Sequence, residues 1–122
     1  MINFENNVPK ILVIGDLMID QYLWGSCERV SPEAPVPIIN VTQDSEVLGG
    51  AGNVVNNLKK LGAEVDVCSV IGDCKTSKEL QYLLKKIGVS TKHLIKQRKR
   101  IVSKKTRIIA SQQQVVRYDH ES

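Results

Sequence analysis

The sequence has no Cys-x-x-Cys pair, no long apolar run and no cationic leader at its start. Cys27, Cys68 and Cys74 are odd in number and scattered, which argues against a disulfide framework or a thiolate zinc site and leaves them as packing thiols. His93 and His120 stand apart from any second ligand-type cluster and read as surface or packing residues, so no metal site is expected. No stretch approaches the roughly 18 uninterrupted apolar residues of a membrane span. "MINFENNVPK" opens with an acid and amides where a signal peptide needs positive charge and an apolar core. A cytoplasmic chain without membrane contact is the expectation.

What is present is an ordinary globular composition with an uneven charge. At 122 residues the chain is one small domain or part of a larger one. Its net charge of +4 conceals a split: residues 1–79 hold 6 Lys/Arg against 11 Asp/Glu, and residues 80–122 hold 11 against 2. Eight of these cations fall in "KHLIKQRKRIVSKKTR", Lys92 to Arg107. A nucleic-acid patch would gain affinity from such a run by displacing counterions. The segment has no interleaved aromatics and no reader motif, however, so a solvated loop plus an exposed strand face, or a site for a small phosphorylated ligand, explains it better.

Hydrophobic periodicity gives the organisation. "KILVIGD" (10–16) is a continuous apolar run closed by Gly-Asp, as expected of a parallel strand buried on both faces. "VPIINVT" (36–42) is a second strand. Val54, Val55, Leu58 and Leu61 have helical spacing within 51–61, and Gly62 ends the helix. "EVDVCSVIGD" is another strand running into Gly-Asp, "SKELQYLLKKIG" an amphipathic helix closed by Gly88, and "TRIIA" with "QQVVRYD" a hairpin. Alternating strands and helices predict an α/β sheet with helical crossovers, whose ligands gather beyond the carboxyl ends of the strands.

The stretch "LGGAGNVVNNLKKLG" (48–62) is the candidate ligand turn. It lacks the Gly-Lys-Ser/Thr of a Walker loop, and Val55 occupies the place where a dinucleotide fingerprint needs Gly or Ala. Gly49 and Gly50 let backbone approach a ligand, and Asn53 offers a donor and an acceptor in the first helical turn, a combination suited to a polyol. The plain alternative is a sharp turn and nothing more. Asp16 and Asp20 in "GDLMID" can accept bonds from neighbouring hydroxyls, or Asp16 can cap a turn or helix; for Asp73 the cap is favoured.

Taken together, "KILVIGDLMIDQYLWG", "RVSPEAPVPI", "LGGAGNVVNNLKKLGAEV", "VIGD" and "KTRIIASQQQVVRYD" resemble the N-terminal part of the ribokinase (carbohydrate kinase) superfamily. Within it they resemble the heptose 7-phosphate kinase domain of the bacterial ADP-heptose pathway, often fused to an adenylyltransferase. The resemblance runs from about Lys10 to Asp119. It implies residues 1–122 of a ribokinase-like three-layer α/β/α sandwich with a small β lid at about 22–42, the ATP-binding and catalytic half being absent. The implied activity is transfer of the ATP γ-phosphate to the anomeric hydroxyl of D-glycero-D-manno-heptose 7-phosphate, giving the 1,7-bisphosphate for lipopolysaccharide core synthesis. Position by position, Asp16 and Asp20 would hold sugar hydroxyls, Gly49, Gly50 and Asn53 would form the sugar-facing turn, and Lys105 and Arg107 would contact the 7-phosphate. The lid, around Trp24 to Ile39, would cover the sugar and join two subunits in a homodimer.

The family's catalytic base, an Asp in a Gly-Ala-Gly-Asp turn, is expected beyond Ser122, because neither Gly15-Asp16 nor Gly72-Asp73 is set in such a turn. ATP and Mg2+ would serve the complete enzyme, and this chain alone is expected to bind neither tightly and to be inert. Val55 departs from the small residue usual there, which puts close packing of that helix in question. The alternative reading is a non-enzymatic assembly or polyanion-binding module.

Overall fold

The computed structural model describes residues 7–121; the acid- and amide-bearing start at 1–6 lies outside them. Strands β1 (Lys10–Ile14) and β2 (Leu17–Val30) are followed by β3 (Pro37–Gly50), helix α1 (Ala51–Lys60), β4 (Glu64–Ile71), α2 (Lys75–Lys86), β5 (Leu94–Lys96), β6 (Ser103–Ala110) and β7 (Gln113–His120). One sheet is parallel, in the order β1-β4-β5. The other is mixed, in the order β3-β2-β6-β7, with β2 and β6 parallel and its other neighbours antiparallel.

The helices begin and end where the sequence provides for it. Beyond α1, Gly62 takes φ 98°, its N–H bonds the Lys59 carbonyl and the Ala63 N–H bonds that of Leu58. Gly88 repeats the device after α2 at φ 79°, with Gly88 to Lys85 and Val89 to Leu84. Both are Schellman closures, which satisfy the orphan carbonyls of a last turn. The inward stripe of α1 meets the parallel sheet and α2 packs against β2 and β3 of the mixed sheet, so Val55, Val67, Ile71, Leu80 and Leu84 are fully buried together with Ile19 of β2. Val55, the departure noted above, fills this core.

Several expectations change. β1 is not buried on both faces: Ile11 and Val13 pack on the core, whereas Leu12 is 54% and Ile14 74% exposed. With Cys68, Val70 and Ile95, which share that face by register, they form an open apolar surface. The run after Gly15, to which the periodicity assigned no element, is a 14-residue strand, and Asp20 lies within it. β2 and β3 pair along nearly their whole lengths; their ends nearest the core carry Leu17, Ile19 and Leu48, and their far ends, residues 25–30 and 37–43, are mostly exposed. Asp73 does not cap α2, whose N-cap is Cys74 with no side-chain bond; Ser77 Oγ instead accepts from the buried Gly72 N–H at 3.0 Å. The cysteines are not uniformly packing residues, since Cys27 is exposed and the other two are partly so.

Candidate functional site

Asp16 occupies the link between β1 and β2, beyond the carboxyl end of a parallel strand. Its side chain caps nothing; its carbonyl accepts the Ala51 N–H at 2.9 Å and so ties that link to the start of α1. The chain enters α1 through Gly50, the N-cap, at φ 59° and ψ −133°. That is a region only glycine occupies without strain, and a Cβ there would lie 2.6 Å from the Asp16 carbonyl oxygen. Gly50 therefore serves to bring the turn against Asp16. Asn53 stands exposed in the first turn of the same helix, at the same end of the sheet.

Asp20 is four residues on, beside Lys105 of β6 and Val47 of β3. Its carboxylate receives a hydrogen bond from Arg107 Nη1 at 3.2 Å. Gly49 is bare for it: a Cβ there would come 2.6 Å from Asp20 Oδ2. Arg107 also lies 5.5 Å from the centroid of the Tyr22 ring, and Tyr22 stacks on Trp24 with centroids 5.6 Å apart and planes 17° from parallel. Alternation along β2 puts Met18, Asp20, Tyr22 and Trp24 on one face of the mixed sheet, with Ser103, Lys105 and Arg107 beside them on β6. Lys105, half-buried, has no ion pair among the described residues.

The opposite face of this sheet is structural. Lys104 Nζ bonds Glu46 at 2.8 Å and Glu79 of α2 at 3.1 Å, and Gln21 joins Glu46 to the buried Thr106. Burial opposes the Lys104 charge, but the bonds and charges of Glu46 and Glu79 outweigh it and hold its pKa above the ordinary lysine value. The network clamps β6 to β2, β3 and α2, which fixes the strand that presents Lys105 and Arg107.

A cleft of about 260 Å³ opens at the carboxyl ends of β1 and β4. Asp16, Met18, Val70, Arg100 and Ser103 contribute to its walls. Arg100 Nη2 reaches Asp16 Oδ1 at 3.5 Å. The structure thus gathers Asp20, Gly49, Lys105 and Arg107 on one sheet face and joins it to Asp16 and Gly50 through Met18. Asn53 is beside the turn but does not line this cleft. Arg100 and Tyr22 escaped the sequence reading; the only signal for Arg100 was its place in the basic run. That run is not one patch, because Arg100, Lys104 and Arg107 are each committed to a carboxylate. Among the described residues no three His, Cys, Asp or Glu side chains gather as a metal site. Among the described residues no helix is long and apolar enough to cross a membrane.

The fold is that of a carbohydrate kinase, and residues 8–122 match the pfkB family of carbohydrate kinases: the chain belongs to that family. It is similar to the bifunctional protein HldE of Aliarcobacter butzleri, 66% identical over 114 residues that make up 93% of this chain and 24% of the relative. HldE of Sulfurimonas denitrificans is 57% identical over the same shares of each chain, and HldE of Helicobacter hepaticus is 51% identical over all of this chain and 25% of its own. The chain therefore spans about a quarter of the length of these curated relatives. Among solved structures, a carbohydrate kinase from Agrobacterium tumefaciens superposes with a TM-score of 0.68 at 25% identity, covering 93% of this chain and 36% of that one. Arabidopsis thaliana ribokinase, complexed with ribose and ATP, gives 0.66 at 16% identity over 93% and 36%. The architecture is a ribokinase-like α/β fold, as the motif resemblance implied.

Proposed function

We propose that these residues form the sugar-binding part of a kinase that transfers the ATP γ-phosphate to the anomeric hydroxyl of a heptose 7-phosphate, the step that leads toward ADP-heptose. The observation that carries this reading is the convergence of Asp20, Gly49, Lys105 and Arg107 on one sheet face contiguous with Asp16 and the Gly50 turn. Carboxylates accept from sugar hydroxyls and leave the ring oriented, while Lys105, which has no ion pair among the described residues, suits the 7-phosphate through a charge-assisted bond. Arg107 joins it by sharing its guanidinium between Asp20 and the anion. Asn53 adds a hydroxyl partner at the turn. Tyr22, Trp24 and the exposed ends of β2 and β3 act as a lid over the sugar.

No general base or anion hole is assigned among these residues. They hold and orient the acceptor, and deprotonation and phosphoryl transfer belong to groups outside them. Residues 1–122 by themselves are expected to turn over no ATP. The exposed ends of β2 and β3 also form the surface for a homodimer, which sedimentation of a Val41→Glu variant tests by its shift to monomer.

Titration of the full-length protein with a phosphorylated heptose and with duplex DNA tests the assignment. Saturable sugar-phosphate binding that falls about 10- to 100-fold in Asp16→Ala supports it, on the scale of a lost bond to a charged group. Steeply salt-dependent DNA binding, untouched by that change, would support a polyanion-binding module instead.

A further inference from the structure

We propose that Arg100 binds a phosphoryl group at the Asp16 end of the cleft, exchanging its contact with Asp16 for the ligand; this rests on the sugar-kinase reading above. Arg100 sits in the link between β5 and β6, and its position is built rather than incidental. Its N–H bonds the Gln97 carbonyl at 3.2 Å, and its own carbonyl is seated against Gly72 at the end of β4, where any side chain would collide with it. Gly72 is itself fixed by Ser77, whose Oγ accepts the Gly72 N–H. The second Gly-Asp of the sequence is therefore the seat of the Arg100 loop.

From that seat the guanidinium reaches into the cleft to Asp16. The contact is long, 3.5 Å, and the Asp16 side chain is 79% exposed, so the pair is an inexpensive one to open. A sugar hydroxyl that takes Asp16 would leave the Arg100 fork beside the ligand without a partner, and a phosphoryl group is the acceptor that a guanidinium matches with two parallel bonds. Arg107 cannot do this work. It is held by Asp20, four strand residues and so about 13 Å along β2 from Asp16. Lys105 and Arg107 thus serve the sheet face, and Arg100 the cleft that adjoins it at Met18. Against the carboxylates of Asp16 and Glu121, Arg100 is the one cation among the described residues that line the cleft, so an anion there depends on it.

Two sources can provide the group: the γ-phosphate of the nucleotide, which leaves the 7-phosphate at Lys105 and Arg107 as proposed above, or the sugar's own phosphate, which would move it from those residues to Arg100. In the full-length protein, dissociation constants are measured calorimetrically for heptose 7-phosphate, unphosphorylated heptose, ATP and ADP, with wild type, Arg100→Gln and Arg100→Lys. Arg100→Gln is expected to weaken one phosphorylated ligand about 10- to 100-fold while changing its partner lacking that phosphate less than about threefold, with Arg100→Lys intermediate. A loss confined to heptose 7-phosphate against heptose assigns the sugar's phosphate, and one confined to ATP against ADP the γ-phosphate. Equal losses within both pairs, or none, overturn the proposal by reducing Arg100 to a structural tie. Asp16→Asn separates the two levels: if it leaves all heptose binding intact, the underlying sugar site fails whatever Arg100 does.

Discussion

The Asp20 carboxylate bonds Arg107 at 3.2 Å and occupies the space that a Cβ on Gly49 would need. One glycine of the ligand turn thus exists for a side chain two strand positions past Met18, and β3 cannot change there without moving the acid on β2. Replacement of Gly49 by Ala is expected to push the carboxylate aside and weaken heptose phosphate binding by about tenfold or more, as for misdirecting one charged hydrogen bond. Calorimetric titration of the full-length variant checks it, and unchanged affinity would show that Asp20 is free to shift.

Gly50 fails differently. With φ 59° and ψ −133°, and with the Asp16 carbonyl 2.6 Å from where a Cβ would sit, Gly50→Ala strains the entry to α1 itself. A loss of about 1–3 kcal/mol in stability is expected. Urea denaturation reads this directly, and the deficit should exceed that of Gly49→Ala, whose obstruction is a side chain.

Lys104 gives a pH prediction with a definite sign. Burial lowers its pKa, but Glu46 and Glu79 raise it by more, so the folded value lies above the unfolded one. Its stabilising contribution is complete below the unfolded value of about 10.4 and is lost only as pH rises through the higher folded value. Lys104→Met leaves the two partly buried glutamates facing each other and is expected to cost about 1–3 kcal/mol. The gap from wild type should hold from neutral pH to about pH 10 and close above it; a gap that vanished at neutral pH would refute the pairing.

Cys74 is expected to alkylate as an activated thiol. Burial pushes its pKa up, yet bonds from the Ser77 side chain and backbone and from the backbones of Val102 and Thr76 bring it below the ordinary thiol value. The pH–rate profile for iodoacetamide at Cys74, read by peptide mass spectrometry, should have its midpoint below the ordinary thiol value, and Ser77→Ala should move it upward.

The fold was legible wherever one period dominated. The stripe through Val55 and Leu58, the alternation Val65, Val67, Ser69, Ile71, and the glycines that close α1 and α2 each specify an element locally. β2 was hidden because its outer half is polar on both sides and its pairing with β3 and β6 lies outside any sequence window. The exposure of Leu12 and Ile14 was equally illegible, since an apolar run shows which residues avoid water and not what covers them. At the site, Asp16, Asp20 and the glycine turn stood out as residue types suited to a polyol. Arg100 did not, because one cation among eight in a run acquires meaning only when Gly72 and Asp16 meet it in space.

The most direct measurement is a crystal structure of the full-length protein with a phosphorylated heptose bound. The account predicts sugar hydroxyls within hydrogen-bonding distance of both Asp16 and Asp20, with the turn at Gly49 and Gly50 against the ring. A heptose seated elsewhere, with both carboxylates facing solvent, would contradict it.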